Sequence, residues 1–176
     1  MTKYKEVPTA AAELYPGDAL GERLCRIFGH YRYNFIQAEA PVDRKAKPQW
    51  KTEKYQIKHR VLYRDWQAAS KLIGVRFNSD TLYALIDIDR QSKYHPNQNA
   101  DGVKAIQEAL ETIGISRTIT ISSSWSEGLH IYIPLAELIK TFDLAVAIKG
   151  CLEAQGFEVK LGQLEIFPNP KQYGTK

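Results

Sequence analysis

The sequence predicts an α+β fold whose C-terminal half runs β-α-β-β-α-β, on three observations. Residues 83 to 89, 118 to 122 and 129 to 134 alternate apolar with polar residues, or cluster β-branched ones, over strand lengths. Two longer segments carry apolar residues at helical spacing and each stops at a glycine, Gly114 and Gly156. Each helix falls between strands, an order that suits one layer of helices on one sheet. With 176 residues, 44% of them hydrophobic, the chain can bury the core of one domain, or of one with a small appendage.

In chain order, Asp18 as N-cap with Leu20, Leu24, Ile27 and Phe28 along one face predicts a helix over 19–28, ending at Gly29. An extended piece at 33–37 leads into a charged loop holding Pro41 and Pro48. A second helix near 61–71 is expected to bury Leu62, Trp66 and Ala69, and 72–77 is an apolar strand. The run YALIDID at 83–89 is the first strand of the regular half, and a polar loop follows through Pro96. Asp101 then caps a helix with Val103, Ile106, Leu110 and Ile113 on its apolar face, up to Gly114. Strands 118–122 and 129–134 form a hairpin about the polar turn at Ser126 to Gly128. The helix over 142–155 buries Leu144, Ala145, Ile148 and Leu152, and the strands 157–161 and 163–167 close the set.

Taking the last two pieces as one strand broken at Gly162, this is the split βαβ order of ferredoxin-like and RNA-recognition-type domains. In it the first and third strands lie at the centre, the fourth beside the first and the second beside the third, with helices over one face only. The division is expected near residue 80, with residues 1–80 as an N-terminal αβ unit and 81–176 as the regular unit.

No run of about 18 apolar residues exists and the N-terminal MTKYKEVPTA is not an apolar signal, so neither a membrane span nor secretion is expected, and the chain is read as cytoplasmic. Cys25 and Cys151 alone support no disulfide framework or paired-cysteine zinc cluster and are read as small core residues. The net charge of +4 is unevenly spread. Between Arg44 and Arg76, the cations Arg44, Lys45, Lys47, Lys51, Lys54, Lys58, Arg60, Arg64, Lys71 and Arg76 face only Glu53 and Asp65. Such a segment suits a phosphate backbone, and a solvated basic surface equally well.

Strand alternation sorts the regular half into two faces. Ala84, Ile86 and Ile88, Ile131 and Ile133, and Leu164 and Ile166 belong under the helices. Asp87 and Asp89, His130 and Tyr132, and Glu165 and Phe167 belong on the other face. Converging carboxylates repel unless a cation sits among them, and oxygen ligands favour Mg2+ or Mn2+. The chemistry suggested is phosphoryl or nucleotidyl transfer. His130, next to the hairpin turn, would donate to a triphosphate oxygen, and Ser124 and Ser126 would add hydroxyl donors. Singly, each residue has an ordinary structural reading, and the signal is the combination.

LIDID at 85–89, SEGLHIYI at 126–133 and LEIFPNPK at 164–171 resemble, in order, the three motifs of the archaeo-eukaryotic primase superfamily, especially its primase-polymerase branch. Those motifs are Asp-x-Asp after an apolar run, a small residue-x-His, and an apolar residue followed by an acid. The resemblance covers roughly residues 80 to 171 and implies an RNA-recognition-like catalytic core that binds two divalent metals, Mg2+ or Mn2+, through Asp87, Asp89 and Glu165. It implies that His130, Ser124, Ser126 and Lys171 contact the incoming nucleotide. It further implies nucleoside triphosphates and a DNA template as partners, with a helicase domain or subunit as another. Residues 1–80 resemble the accessory unit of such proteins, whose basic loop would grip nucleic acid through Lys47, Trp50, Lys51, Lys54, Arg60 and Arg64.

Two departures stand out. The third acid is Glu where the family often has Asp, and the chain ends at Lys176 where relatives continue with a further strand and basic residues, as a piece cut after the third motif would. Other readings of the same residues are a non-catalytic nucleic-acid-binding module and a metal-dependent phosphohydrolase or nuclease.

Overall fold

The computed structural model describes residues 18–43, 46–123 and 127–169. The chain separates into two compact units, Met1–Asn78 and Ser79–Lys176.

In the first unit, helix α1 (Ala19–Phe28) starts where Asp18 accepts a hydrogen bond from the Gly21 amide at 2.9 Å and ends as the Gly29 amide bonds the Cys25 carbonyl. Its buried side is Gly21 and Cys25, so Leu20, expected inside, stands in solvent. Gly21 is required there, because a Cβ would meet the Tyr63 ring at 2.6 Å. Strands β1 (Ile36–Glu39), β2 (Lys51–Thr52) and β3 (Lys71–Gly74) form an antiparallel sheet in the order β2-β1-β3. Helix α2 (His59–Gln67) supplies Leu62 to a core with Phe35 and Ile57.

Helix α2 ends four residues earlier than the periodicity suggests, and this reverses the expectation for its far end. Ala69 lies outside the helix and is exposed. Trp66 is 47% exposed, laying one ring face on Tyr63 at 6.1 Å instead of entering the core. An indole that covers a neighbour with one face and keeps the other in solvent is an ordinary use of an amphipathic ring.

The second unit comprises β4 (Asp80–Ile88), α3 (Gly102–Glu111), β5 (Ile119–Ser123), β6 (Gly128–Lys140), α4 (Thr141–Ala154) and β7 (Leu164–Phe167). Its sheet is antiparallel in the order β5-β6-β4-β7, the arrangement expected of the β-α-β-β-α-β sequence. Ala84, Ile86, Ile88, Ile131, Ile133, Leu164 and Ile166 form one core with Ile106 and Leu110 of α3 and Leu144, Ile148 and Leu152 of α4. Burying that many aliphatic side chains on one face is the main stabilising term of the unit.

Four details depart from the expected pattern. Ile113, expected on the buried face, is exposed, because α3 ends at Glu111. Asp101 precedes α3 without a side-chain capping bond, and its carbonyl instead accepts from the Ala105 amide at 2.8 Å. Strand β6 runs past Pro134 to Lys140 after a register shift opposite Thr81 and Tyr83. Proline has no amide to donate to the ladder, and Thr81 Oγ1 bridges the irregular stretch by donating to the Tyr83 carbonyl at 2.7 Å. Residues 157–161 form no strand. Gly162, at φ +76°, turns the chain so that Lys160 touches Leu164 only as an isolated bridge.

Glu158 in this segment is clamped by Lys160 at 2.5 Å and Lys93 at 2.6 Å, and the two ammonium groups hold its carboxyl down at about 2. A carboxylate depressed in the folded state adds stability above its unfolded value of 4.5, and that contribution is lost as pH falls toward 2. Glu158→Gln is therefore expected to leave thermal stability unchanged below about pH 2 and lower it above pH 5, by less in high salt because the pair is exposed. Thermal melts across this range at two salt concentrations check it.

Candidate active site

The ladder register brings three of the sequence-predicted site residues into one row. Asp87 of β4 lies opposite His130 of β6 on one side and Glu165 of β7 on the other. Residues directly opposite in an antiparallel pair project to the same face, and here that face is opposite the one packed on α3 and α4. Asp89 follows one residue after β4 ends and is exposed, whereas Asp87, His130 and Glu165 are half-buried.

His130 is the link between the row and its aromatic neighbours. Its Nε2 stands 3.5 Å from Asp87 Oδ1, and its Nδ1 is 3.5 Å from the Tyr132 hydroxyl, both long contacts. The two rings meet edge to face with centroids 5.9 Å apart. Tyr132 in turn packs on Tyr83 at 6.2 Å. Tyr83 shares the parity of Asp87 yet is buried, so the face expected to be open is covered at that end.

Burial sets the electrostatics. It raises the Asp87 carboxyl to about 6, with the charges of Asp89 and Glu165 adding to the rise. It pushes His130 down, favouring the neutral imidazole, and with the Asp87 charge it pushes Tyr132 up to about 12. The row and the adjoining Asp89 therefore combine a carboxylate that ionises reluctantly, two further acids and an imidazole held neutral by burial.

Oxygen donors of this kind suit a hard divalent cation, and the crowding of negative charge at Asp87 is the imbalance such an ion would relieve. The side chains are not drawn together around one point: among the described residues no three His, Cys, Asp or Glu groups stand in ligand geometry. The donors fit a divalent metal in chemistry and in sheet position, without a preassembled cage.

Of the other predicted residues, Lys47, Trp50, Lys51, Lys54, Arg60 and Arg64 are all exposed in the first unit. Trp50 is 49% exposed, and Arg64 is tied to Asp65 at 2.7 Å. Ser124, Ser126 and Lys171 lie outside the described residues, as do Arg44 and Lys45. No helix among the described residues is long and apolar enough to cross a membrane.

Sequence reasoning missed the loop that leaves β4. Ser92, Tyr94 and His95 are buried there, and Tyr94 Oη accepts the Glu158 amide at 2.7 Å. Nothing in a polar stretch ending at a proline signals that burial; the only cue is the pair of adjacent aromatic rings at 94 and 95.

No family model matches the chain, and no curated protein matches it in sequence. Among solved structures it is similar to the polymerase domain of ligase D from Mycobacterium tuberculosis in complex with DNA, with a TM-score of 0.48 and 18% identity over 90% of this chain and 67% of that one.

Proposed function

We propose that the chain is a nucleotidyltransferase of the primase-polymerase type, with residues 81–176 as its catalytic core and residues 1–80 as an accessory unit that grips nucleic acid. The observation that carries the reading is the row Glu165, Asp87, His130 across three neighbouring strands, with Asp89 two residues on. Structural ion pairs set acids beside cations, whereas here Asp87 is flanked by two acids and an imidazole that burial keeps neutral.

In this reading Asp87, Asp89 and Glu165 hold Mg2+ or Mn2+, which when bound neutralises the triphosphate and the departing pyrophosphate. His130, kept neutral by burial, donates its single N–H to a phosphate oxygen of the incoming nucleotide. The hydroxyls of Ser124 and Ser126 and the ammonium of Lys171 add donors to the same phosphates. The exposed cations at 47, 51, 54, 60 and 64 neutralise the template backbone, and the exposed indole of Trp50 stacks on a base.

Extension of a labelled primer on a DNA template, with nucleoside triphosphates and Mn2+ or Mg2+, is the test. Incorporation is expected from the native chain and at least about 100-fold less from the variant carrying Asp87→Ala with Asp89→Ala. Incorporation by that variant at the native rate removes the site. Strand binding with no incorporation selects the non-catalytic binding module, and release of mononucleotides without chain growth selects the nuclease.

A further inference from the structure

We infer that His95 is a positioning residue that locks the start of β6, and with it His130, to the loop leaving Asp89. The imidazole is buried at 5% exposure and bonded at both nitrogens. The Asn97 amide can only donate, and it lies 3.2 Å from Nδ1, so Nδ1 accepts. The proton is therefore on Nε2, which donates to the Glu127 carbonyl at 2.9 Å. This tautomer is fixed by its two partners, and the ring cannot be replaced by a group that only accepts.

Both ends of that bridge are themselves pinned. On the loop side, the Ser92 amide bonds the Asp89 carbonyl at 2.9 Å, the His95 amide bonds the Ser92 carbonyl at 3.0 Å, and the amides of Gln98 and Asn99 both bond the His95 carbonyl. The segment is a chain of turns anchored on Asp89 itself. On the far side, Glu127 holds a left-handed backbone, φ +60°, unusual for a residue with a side chain. It is the residue before β6, and its carboxylate pairs with Arg90 at 2.9 Å. Glu127 is thus tied by its carbonyl to His95 and by its side chain to Arg90, both on the loop after Asp-x-Asp. Three residues further along β6 stands His130.

The adjacent Tyr94 makes the matching connection to the other flank. Its hydroxyl accepts the Glu158 amide and its ring packs on Phe157 at 5.3 Å, in the segment that leads to Glu165. The ladder sets Asp87 opposite His130; what His95 adds, without entering the row, is a tie between the chain that leaves Asp89 and the turn that starts β6.

The activity readout of this inference rests on the nucleotidyl-transfer reading, so its test has a second arm that does not. Full-length His95→Ala, His95→Leu and His95→Gln are compared with the native protein by amide hydrogen exchange and by nucleotide incorporation. Glutamine retains an N–H donor for the Glu127 carbonyl; leucine fills the ring's space without one and serves if the alanine variant does not fold. Exchange over residues 127–130 is expected to quicken on the order of 10-fold in the alanine and leucine variants and to return to within about 3-fold in the glutamine variant, with 84–88 unchanged. In the same variants the nucleotide KM is expected to rise about 10-fold with kcat within about 2-fold, and glutamine to restore it. Unchanged exchange at 127–130, or a rise spread evenly through the unit, overturns the lock. The expected exchange pattern with an unaltered KM overturns the positioning role. The expected exchange pattern in the variants, together with a native protein that incorporates no nucleotide, overturns the nucleotidyl-transfer reading while the lock stands.

Discussion

Asp87→Asn is expected to make the metal-free protein more stable while lowering nucleotide incorporation by about 100-fold or more. The carboxyl is raised from 3.8 to about 6 by burial and by the neighbouring acids, so folding at neutral pH charges a group the fold prefers neutral. The sign follows from proton binding. Between about 3.8 and 6 the native state holds more protons here than the unfolded chain, so stability rises as pH falls through 6 and levels off below 3.8. Each pH unit of displacement is worth about 1.4 kcal/mol. With the side chain 32% exposed, screening brings the gain on removing the charge to on the order of 1–2 kcal/mol. Asparagine keeps the shape and one carbonyl oxygen but no negative charge, hence the opposite effects on stability and activity. Thermal melts at pH 4 and pH 8 in divalent-free buffer check the first half, where the variant gains at pH 8 and not at pH 4. A variant less stable than the native protein at both pH values contradicts the prediction.

Gly102→Ala is expected to destabilise the second unit by about 3 kcal/mol, among the larger effects a single methyl can have. A Cβ at Gly102 would stand 2.2 Å from the Tyr94 carbonyl oxygen, 2.8 Å from its carbon and 3.0 Å from its Cα. These are backbone atoms, and the turns through Ser92, His95 and Asn99 hold them. Either the loop moves and loses its bonds to Glu127 and Glu158, or α3 gives up its first turn. Ordinary helix propensity argues the other way, because alanine outranks glycine inside a helix by about 1 kcal/mol. Chemical denaturation separates the two: a gain in stability would show that the close approach at Tyr94 is not rigid.

Most of the second unit's architecture was legible in the sequence because it depends on period-two and helical alternation. The apolar residues of LIDID, HIYI and LEIF sort cleanly between core and opposite face, and the strand order follows from the element order. Asp18 and the glycines at 29 and 156 marked real boundaries for reasons of capping and left-handed backbone. Residues 157–161 misled because Phe157 and Val159 pack on the core without strand pairing, so apolar spacing there reports burial alone. Trp66 misled because helical spacing names a face but not where the helix stops. For the site, alternation gives the face and the ladder gives the row, but neither gives rotamers. The sequence could therefore place Asp87, His130 and Glu165 side by side without showing that the acids stand apart from ligand geometry. His95 was invisible because its partners, the Glu127 carbonyl and the Asn97 amide, are backbone groups with no signature in composition.

Strand β4 is hydrogen-bonded to β6 along one side and β7 along the other over the residues that carry Asp87. Its backbone groups are all committed there, so sliding it would sever two ladders at once, and the position of that carboxylate is not adjustable. Asp89 lies just past the last paired residue and has no such restraint from the sheet. A ligand arriving at this edge meets one stationary acid and one whose side chain can swing to meet it, so any induced fit there is confined to side-chain torsions.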